Sequence, residues 1–317
     1  MISNTRLRTG GQILIDQLIR NNTELAFCVP GESYLDALDA MHDKKEILKL
    51  INARHEAGAA NMAEAYGKLT GKPGIAFVTR GPGACHASVG VHISKQDSTP
   101  IILFVGQVES SFYGKEAFQE INYESMFSKV AKWCHQILNV EEIEHIIHKA
   151  FKVANTGRKG PVVISLPEDI LSKKTTQKNL DVYQIKKPKI PINKIFEIKS
   201  LLERSKKPII ILGGGNWNKD SRLYIESFAL NNHLPVVTSF RRQDLINNRC
   251  KNFVGTLGTS VSPKLLAAFK DADAILAIGA RLSDMTTNSY NLFDSTSKRV
   301  KLIHIYPDKK EINRVFP

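Results

Sequence analysis

The residue best placed for acid–base chemistry is Glu56, which directly follows Arg54 and His55. An apolar segment at 47–53 precedes this tripeptide, and a run of mostly small residues at 57–63 follows it. A glutamate in the first turn of a helix is favoured by the helix dipole, which would explain Glu56 without any function. Small neighbours, however, allow a second surface to approach the carboxyl group and exclude water from it. We therefore consider Glu56 a candidate for proton transfer.

Two glycine-rich segments follow apolar stretches and could bring a ligand close to the backbone. They are Gly81-Pro82-Gly83 and Gly213-Gly214-Gly215. Glycine permits close approach of the backbone to a ligand, and the N-terminus of a following helix favours an anion or a polar ring. A tight strand-to-helix turn without a ligand explains either segment equally well. The residue types alone leave both alternatives open.

The residues that commonly bind metals show no convincing cluster in the sequence. His145 and His148 lie three positions apart but lack a third ligand nearby, so we interpret them as surface histidines. The cysteines are widely spaced and form no C-x-x-C pair, which argues against a zinc site and a disulfide framework. They are Cys28, Cys85, Cys134 and Cys250. We predict no metal ligands in this chain.

Short apolar runs alternate with amphipathic ones along most of the chain, which is typical of α/β domains. Continuous apolar runs, such as 101–105, indicate parallel strands that are covered on both faces. The predicted strands are 25–29, 47–53, 74–79, 100–105, 161–166, 208–212, 235–239, 273–278 and 300–306. The predicted helices are 10–21, 34–43, 57–70, 83–95, 140–156, 192–205, 220–232, 263–269 and 309–315.

A polar, lysine-rich stretch interrupts this alternation and indicates a linker at 173–193. We predict an α/β fold of two doubly wound parallel-sheet domains, at 1–172 and 194–317, on either side of it. Ligands in such sheets bind beyond the carboxyl ends of the strands. Glu56 and both glycine segments follow predicted strands, so all three should lie at such an edge.

The composition argues against two classes of partner. The net charge of +13 arises from 44 basic and 31 acidic residues, but the lysines are scattered in pairs and form no basic stripe with aromatic residues. We therefore predict no nucleic-acid binding. No apolar run reaches the roughly 18–20 residues that cross a bilayer, and the first residues contain no secretory signal. We predict no membrane association and a cytoplasmic location.

Short motifs follow one another in both predicted domains in a characteristic order. In the first domain they are Phe27-Cys28-Val29-Pro30-Gly31, Arg54-His55-Glu56, Ala63-Glu64-Ala65-Tyr66-Gly67, Thr70-Gly71-Lys72-Pro73-Gly74, Gly81-Pro82-Gly83, Ala117-Phe118-Gln119-Glu120 and Gly157-Arg158-Lys159-Gly160-Pro161-Val162. In the second they are Gly213-Gly214-Gly215, Gly279-Ala280-Arg281 and Ile303-His304-Ile305. This order resembles that of thiamine-diphosphate-dependent enzymes of the acetolactate-synthase-like branch. The resemblance implies a pyrimidine-binding domain followed by a Rossmann-like central domain.

The resemblance also implies roles for residues at matching motif positions. Glu56 would hydrogen-bond the pyrimidine ring of the cofactor and promote proton removal from its thiazolium carbon. Phe118 would face the substrate, and Gln119 would join Glu56 as a catalytic residue. The implied cofactor-binding residues are Pro30, Gly31, Glu56, Gly81, Pro82, Gly83 and His86.

The activity that the resemblance implies is that of a carboligase. Such an enzyme decarboxylates a 2-oxo acid such as pyruvate and joins the remaining unit to a second carbonyl compound. The implied active unit is a homo-oligomer, a dimer or a tetramer, in which Glu56 acts across a subunit interface.

Three departures from the family pattern keep other thiamine-diphosphate-dependent decarboxylases, lyases and oxidases open. Glu168 stands where the branch usually has a lysine, and Cys85-His86 replace a Thr-Asn pair. We interpret Cys85 as a small buried residue rather than a nucleophile. The segment 255–259 lacks the His-Gly that follows in flavin-binding synthases. FAD is therefore left open, with Gly213, Gly214, Gly215 and Arg281 as the candidate flavin region.

The family's third domain has no counterpart in these residues. Its Gly-Asp-Gly signature, which precedes a metal-binding asparagine, occurs nowhere in the chain. That domain holds the diphosphate through Mg²⁺. We expect the C-terminal diphosphate-binding domain and its Mg²⁺ to come from a longer product or a separate subunit, and this chain alone to be inactive. A non-catalytic, partner-dependent subunit is the alternative from a different functional class.

Overall fold

The computed structural model describes residues 7–184, 189–294 and 299–316. Contacts divide the chain into two units, Met1–Ile185 and Lys186–Pro317. Each unit contains one main sheet whose strands are all parallel. This confirms the predicted α/β fold class. The domain limits of 1–172 and 194–317 stay predictions, and residues 185–188 of the predicted linker lie outside the described residues.

The first unit is built on a six-stranded sheet with the order β3-β2-β4-β5-β7-β6, and a small antiparallel pair, β1 and β8, lies apart from it. The strands are β1 (Arg8–Thr9), β2 (Leu25–Cys28), β3 (Lys49–Asn52), β4 (Gly74–Val78), β5 (Ile101–Gln107), β6 (Trp133–Gln136), β7 (Pro161–Pro167) and β8 (Lys174–Thr175). The helices are α1 (Gly10–Arg20), α2 (Leu35–Asp43), α3 (Glu56–Thr70), α4 (Pro82–Asp97), α5 (Tyr123–Phe127), α6 (Ile143–Asn155) and α7 (Glu168–Ser172).

Two apolar cores cover the two faces of this sheet. Successive side chains of a strand point to opposite faces. Accordingly, Ile75 and Phe77 of β4 pack with α1, α2 and α6, whereas Ala76 and Val78 pack with α3, α4 and α5. Both faces of the central strands are therefore buried, as the continuous apolar runs predict.

The polar segment after α7 is attached to the first unit along much of its length. Lys174–Thr175 pairs with Arg8–Thr9 at the start of α1. Farther along, the side chain of Gln17 donates to the carbonyl of Leu180 over 3.1 Å, and that of Asn179 donates to Ile13 over 2.9 Å. These contacts bind part of the predicted linker to α1.

The second unit contains a five-stranded sheet with the order β11-β10-β9-β12-β13. Its strands are β9 (Pro208–Leu212), β10 (Val236–Thr238), β11 (Phe253–Thr256), β12 (Ala274–Ile278) and β13 (Lys301–Ile305), and its helices are α8 (Ile192–Arg204), α9 (Lys219–Asn231) and α10 (Pro263–Asp271). One face packs against α10 and the other against α9 and α8.

The short elements β1, β8, α5 and α7 are not predicted, and three further differences stand out. The edge strands β6 and β11 are not predicted, because each is short and only partly buried. The predicted helix at 309–315 is wrong, since this segment forms turns. The Asp308 side chain accepts the backbone N–H of Lys310, and Asn313 has a left-handed φ of 58°. Both features interrupt helical hydrogen bonding.

None of the described helices is long and apolar enough to cross a membrane.

Candidate active site

The site residues expected in the first unit lie at one edge of its sheet. Because the strands are parallel, the loops after β2, β3, β4, β5 and β7 all leave from their carboxyl ends. The residues in these loops or at the starts of the helices that follow are Pro30, Gly31, Glu56, Gly81, Pro82, Gly83, His86, Phe118, Gln119 and Glu168. This is the edge at which open α/β sheets bind ligands.

Glu56 is the first residue of α3, and its carboxylate contacts a histidine from the next helix. His86 Nδ1 lies 2.9 Å from Glu56 Oε2. The Glu56 side chain is 13 % exposed and that of His86 is 51 % exposed. Close packing of the two helices permits this contact, since a Cβ on Gly90 of α4 would lie only 2.5 Å from the Cβ of Ala60 in α3.

His55 completes a cluster of three side chains. Its ring stacks on that of His86 with centroids 4.6 Å apart. It also caps α3, because its Nδ1 accepts the backbone N–H of Ala57 over 3.1 Å. One ligand atom from each of His55, Glu56 and His86 lies within 4.8 Å of the others, the only such donor set of three or more among the described residues.

The helix cap argues against metal binding by this cluster. A neutral imidazole has one N–H and one acceptor nitrogen. Since Nδ1 of His55 accepts a hydrogen bond, its proton must be on Nε2, which then has no lone pair for a metal. Coordination by Nε2 would break the cap. The three side chains are therefore better described as a hydrogen-bonded and stacked network.

The buried side of the site is closed by two neutral side chains. Cys28 Sγ donates to Asn52 Oδ1 over 3.0 Å, and Tyr34 Oη donates to the carbonyl of Val29 over 2.6 Å. Burial raises the pKa of the Cys28 thiol to about 11. Burial, followed by the proximity of Cys28 and Glu56, also raises the pKa of Tyr34 far above its usual range. Both groups keep their protons at neutral pH.

Two glycines are required because backbone segments meet closely around the site. A Cβ on Gly31 would lie 2.5 Å from the Cβ of Thr79. Gly81 has φ 57° and ψ −109°, and a Cβ there would lie 2.7 Å from the Cβ of Gln119. The N–H of Gly81 donates to Tyr123 Oη over 2.7 Å. These contacts hold the Gly81-Pro82-Gly83 turn against the loop that carries Gln119.

That loop, 108–122, is held in shape by Glu120. Its carboxylate accepts the N–H groups of Gly114 over 2.5 Å and of Ala117 over 3.0 Å. The bond from Gly114, followed by that from Ala117, lowers the pKa of Glu120 although partial burial opposes this. Gln119 adopts a left-handed φ of 64°, and Phe118 is 74 % exposed. The loop thus presents an aromatic ring to the surroundings while Gln119 lies against Gly81.

Asp169 fastens the beginning of the same loop to α7. It accepts the backbone N–H of Ser110 over 2.9 Å, the Ser110 hydroxyl over 2.8 Å and Lys173 Nζ over 2.8 Å. Burial alone would raise the pKa of Asp169, but the bonds from Lys173 and Ser110 lower it on balance.

Arg80 is a site residue that sequence reasoning missed. Its buried guanidinium pairs with Glu32 over 2.8 Å and with Glu168 over 3.2 Å. Glu168 is therefore balanced by a cation, and its replacement of a lysine does not leave an isolated negative charge. Arg80 directly precedes the Gly81-Pro82-Gly83 segment, but nothing in the sequence identifies its partners.

The prediction for Cys85 is wrong, because the side chain is exposed. On α4, Ala84 and Ala87 face the sheet and are fully buried. Cys85 and His86 are exposed on the opposite face, and His86 contacts Glu56 of α3. A helix places adjacent residues about 100° apart, so the small size of Cys85 does not decide its burial.

In the second unit, tight packing accounts for most of the candidate flavin region. A Cβ on Gly214 would lie 2.2 Å from the carbonyl oxygen of Gly279, and one on Gly213 would lie 2.4 Å from Ser239 Oγ. Arg281 Nε lies 3.3 Å from the Glu311 carboxylate. A cavity of about 630 Å³ opens elsewhere, beside the amino end of β9. Close backbone packing thus explains Gly213 and Gly214, and the ion pair with Glu311 explains Arg281, without a ligand.

Family comparisons identify both units. A model of the thiamine pyrophosphate enzyme N-terminal TPP binding domain matches residues 8–126, and one of the central domain matches residues 195–317. Thiamine pyrophosphate is a synonym of thiamine diphosphate. Together the two matches cover most of the chain.

Curated relatives are acetolactate synthases. The large subunit of Haemophilus influenzae is 32% identical over 98% of this chain and 54% of its own length. The mitochondrial catalytic subunit of Saccharomyces cerevisiae is 30% identical over 97% of this chain and 47% of its own. The large subunit of Buchnera aphidicola is 33% identical over 96% of this chain and 54% of its own. The chain thus spans about half the length of these relatives. With the motif order and the two parallel sheets, these matches establish that the chain belongs to the thiamine pyrophosphate enzyme family, among the relatives of acetolactate synthase large subunits.

Proposed function

We propose that the chain forms the pyrimidine-binding and central domains of an acetolactate-synthase-like carboligase that depends on thiamine diphosphate. The enzyme decarboxylates a 2-oxo acid and joins the remaining unit to a second carbonyl compound. The observation that carries this proposal is the carboxylate of Glu56, shielded at the carboxyl edge of a parallel sheet, in a chain whose N-terminal part matches the family's cofactor-binding domain.

The chemistry of Glu56 fits the pyrimidine ring of the cofactor. Its Oε2 is bound by His86, and among the described residues no partner is observed for Oε1. Oε1 is therefore free to accept from, or donate to, a ring nitrogen. Thiamine diphosphate, when bound, would supply the thiazolium ring, which takes up the electron pair released when carbon dioxide is lost.

The surrounding residues have proposed roles in positioning. Pro30 and Gly31 form one wall of the pyrimidine pocket, and the Gly81-Pro82-Gly83 turn forms another. Gln119 is the proposed second catalytic residue, since its backbone packs against Gly81. Phe118 contacts the substrate through its exposed ring.

The remaining components come from outside these residues. A C-terminal diphosphate-binding domain, within a longer product or a separate subunit, holds Mg²⁺ and the diphosphate. The active assembly is a homo-oligomer with Glu56 at a subunit interface. FAD binding near Gly213, Gly214, Gly215 and Arg281 stays a prediction, as does a cytoplasmic location.

A second candidate is another 2-oxo-acid decarboxylase, lyase or oxidase that uses the same cofactor. The arrangement of Arg80 between Glu32 and Glu168 favours it. Both carboxylates pair with the buried guanidinium, so Arg80 offers no unpaired cation to the carboxylate of a second 2-oxo acid that would act as the acceptor in a joining reaction. A different substrate preference would follow.

The test uses the native gene product with thiamine diphosphate and Mg²⁺. Pyruvate, 2-oxobutyrate and glyoxylate are supplied separately and in pairs, and the products are identified. We expect Glu56→Gln to slow product formation about 100-fold or more, the scale of general acid–base catalysis. Glu46→Gln is the matched control, since Glu46 is exposed and precedes the amino end of β3, whereas Glu56 follows its carboxyl end.

Three results would contradict the proposal. Wild-type rates for Glu56→Gln would remove Glu56 from the reaction. Decarboxylation without any joined product, for all substrate pairs, would favour the second candidate, whereas no turnover at all would favour a non-catalytic subunit.

A further inference from the structure

We propose that His86 positions Glu56 and carries the proton that this carboxyl group exchanges with solvent. The inference rests on the proposed function of Glu56. It concerns a departure from the family pattern, because His86 stands where the branch has an asparagine.

The geometry suits a two-step proton path. An ionised carboxylate can only accept hydrogen bonds, so Nδ1 of His86 donates to Glu56 Oε2 over their 2.9 Å separation. When Glu56 is protonated, its O–H can instead donate to an unprotonated Nδ1. Transfer then leaves a carboxylate and places the proton on Nδ1, while the proton on Nε2 passes to water. The imidazole thus ends neutral in its other tautomer, and a proton from water reverses the sequence.

The exposure of the two side chains gives this path a direction. The Glu56 side chain is 13 % exposed, so water has little direct access to it. In the single chain, His86 is 51 % exposed and connects the carboxylate to solvent. Within the described parts of the chain, it is also the one side chain observed to hydrogen-bond Glu56.

The other neighbouring groups do not offer an equivalent path. The Tyr34 hydroxyl and the Cys28 thiol are buried, and each donates its proton to a neighbouring oxygen. His55 uses Nδ1 to cap α3, and it reaches the network by stacking on His86. His55 therefore fixes the orientation of the His86 ring by stacking on it.

A first experiment examines the chain without cofactor. The histidines are labelled with ¹⁵N, and the ring-nitrogen signals are followed by NMR. We expect Glu56→Gln to shift the Nδ1 signal of His86 and to leave that of His92 unchanged, because His92 is exposed on the same helix. An unchanged His86 signal would overturn the proposed contact.

A second experiment measures hydrogen–deuterium exchange at the reactive carbon of bound thiamine diphosphate in the native gene product. We expect His86→Asn to slow exchange about tenfold or more, with recovery on addition of imidazole. His86→Gln should behave alike, which guards against a folding defect in one variant. His92→Asn is the matched control and should exchange at the wild-type rate.

The outcomes separate this inference from the proposed function. Slow exchange in Glu56→Gln with wild-type exchange in both His86 variants would overturn the role of His86 alone. Slow exchange in the His86 variants that imidazole does not restore would overturn the proton path. Wild-type exchange in Glu56→Gln would instead overturn the proposed function.

Discussion

Replacing Gly81 by alanine should destabilise the first unit more than the same substitution at a left-handed glycine with free space around it. Gly81 has φ 57° and ψ −109°, and a left-handed alanine costs about 1–2 kcal/mol from backbone strain alone. The added Cβ would also lie 2.7 Å from the Gln119 Cβ and 2.9 Å from its carbonyl oxygen. Overpacking of this kind costs about 1–3 kcal/mol. The free energy of unfolding should therefore fall by about 2–5 kcal/mol.

Gly114→Ala is the matched control for this substitution. Gly114 has φ 81°, and a Cβ there would meet nothing within 4 Å. Gly114→Ala should therefore lower the free energy of unfolding only by the cost of backbone strain, about 1–2 kcal/mol. The difference between the two variants measures the contact with Gln119.

Urea unfolding followed by tryptophan fluorescence can measure this difference. Trp133 lies in the first unit and Trp217 in the second, so a Trp217→Phe background isolates the first unit. Both glycine variants are made in that background. Equal losses for Gly81→Ala and Gly114→Ala would refute the reasoning, because the loop that carries Gln119 would then move aside freely.

Three further predictions concern charge and exposure at the same edge of the sheet. Glu168→Lys should lower the free energy of unfolding by about 1–2 kcal/mol, because it puts a second cation beside the buried Arg80. The control Glu168→Gln should lower it by less than about 1 kcal/mol. Equal urea midpoints for the two variants would contradict this prediction. Cys85 should react first with a chromogenic thiol reagent in the native chain, because it is exposed while Cys28 is buried with a raised pKa. Cys85→Ala should therefore remove the fast phase of the reagent's absorbance change. The lowered pKa of Asp169 contributes stability that is present above the pKa of an unfolded aspartate, about 4, and is lost as pH falls through the folded value. Asp169→Asn should therefore differ most from wild type near neutral pH, and a difference that persists far below pH 4 in urea unfolding would be inconsistent with this account.

Much of the fold follows from patterns that are local in the sequence. Continuous apolar runs predict the central strands, because a strand covered on both faces needs apolar side chains on both sides of its pleat. The cap and the first turn of α3 are likewise local, since His55 accepts the N–H of Ala57 two positions later. The candidate role of Glu56 depends on this local arrangement and on the motif order.

Local patterns fail where partial burial or a side-chain contact decides the conformation. The edge strands β6 and β11 carry weak apolar signals because each has only two adjacent apolar residues, Trp133-Cys134 and Phe253-Val254. The segment at 309–315 has a helical pattern of residues, but the Asp308 side chain and the left-handed Asn313 produce turns instead.

The sequence by itself determined the alternation of strands and helices, the family, and the edge of the sheet at which Glu56 lies. Only the tertiary structure decided its partners. His86 meets Glu56 because α4 packs closely on α3 through Gly90, and Arg80 meets Glu168 across 88 positions of sequence because β4 and β7 end at the same edge of the sheet. Such contacts depend on the distance between elements that are remote in the chain, which residue type and spacing do not specify.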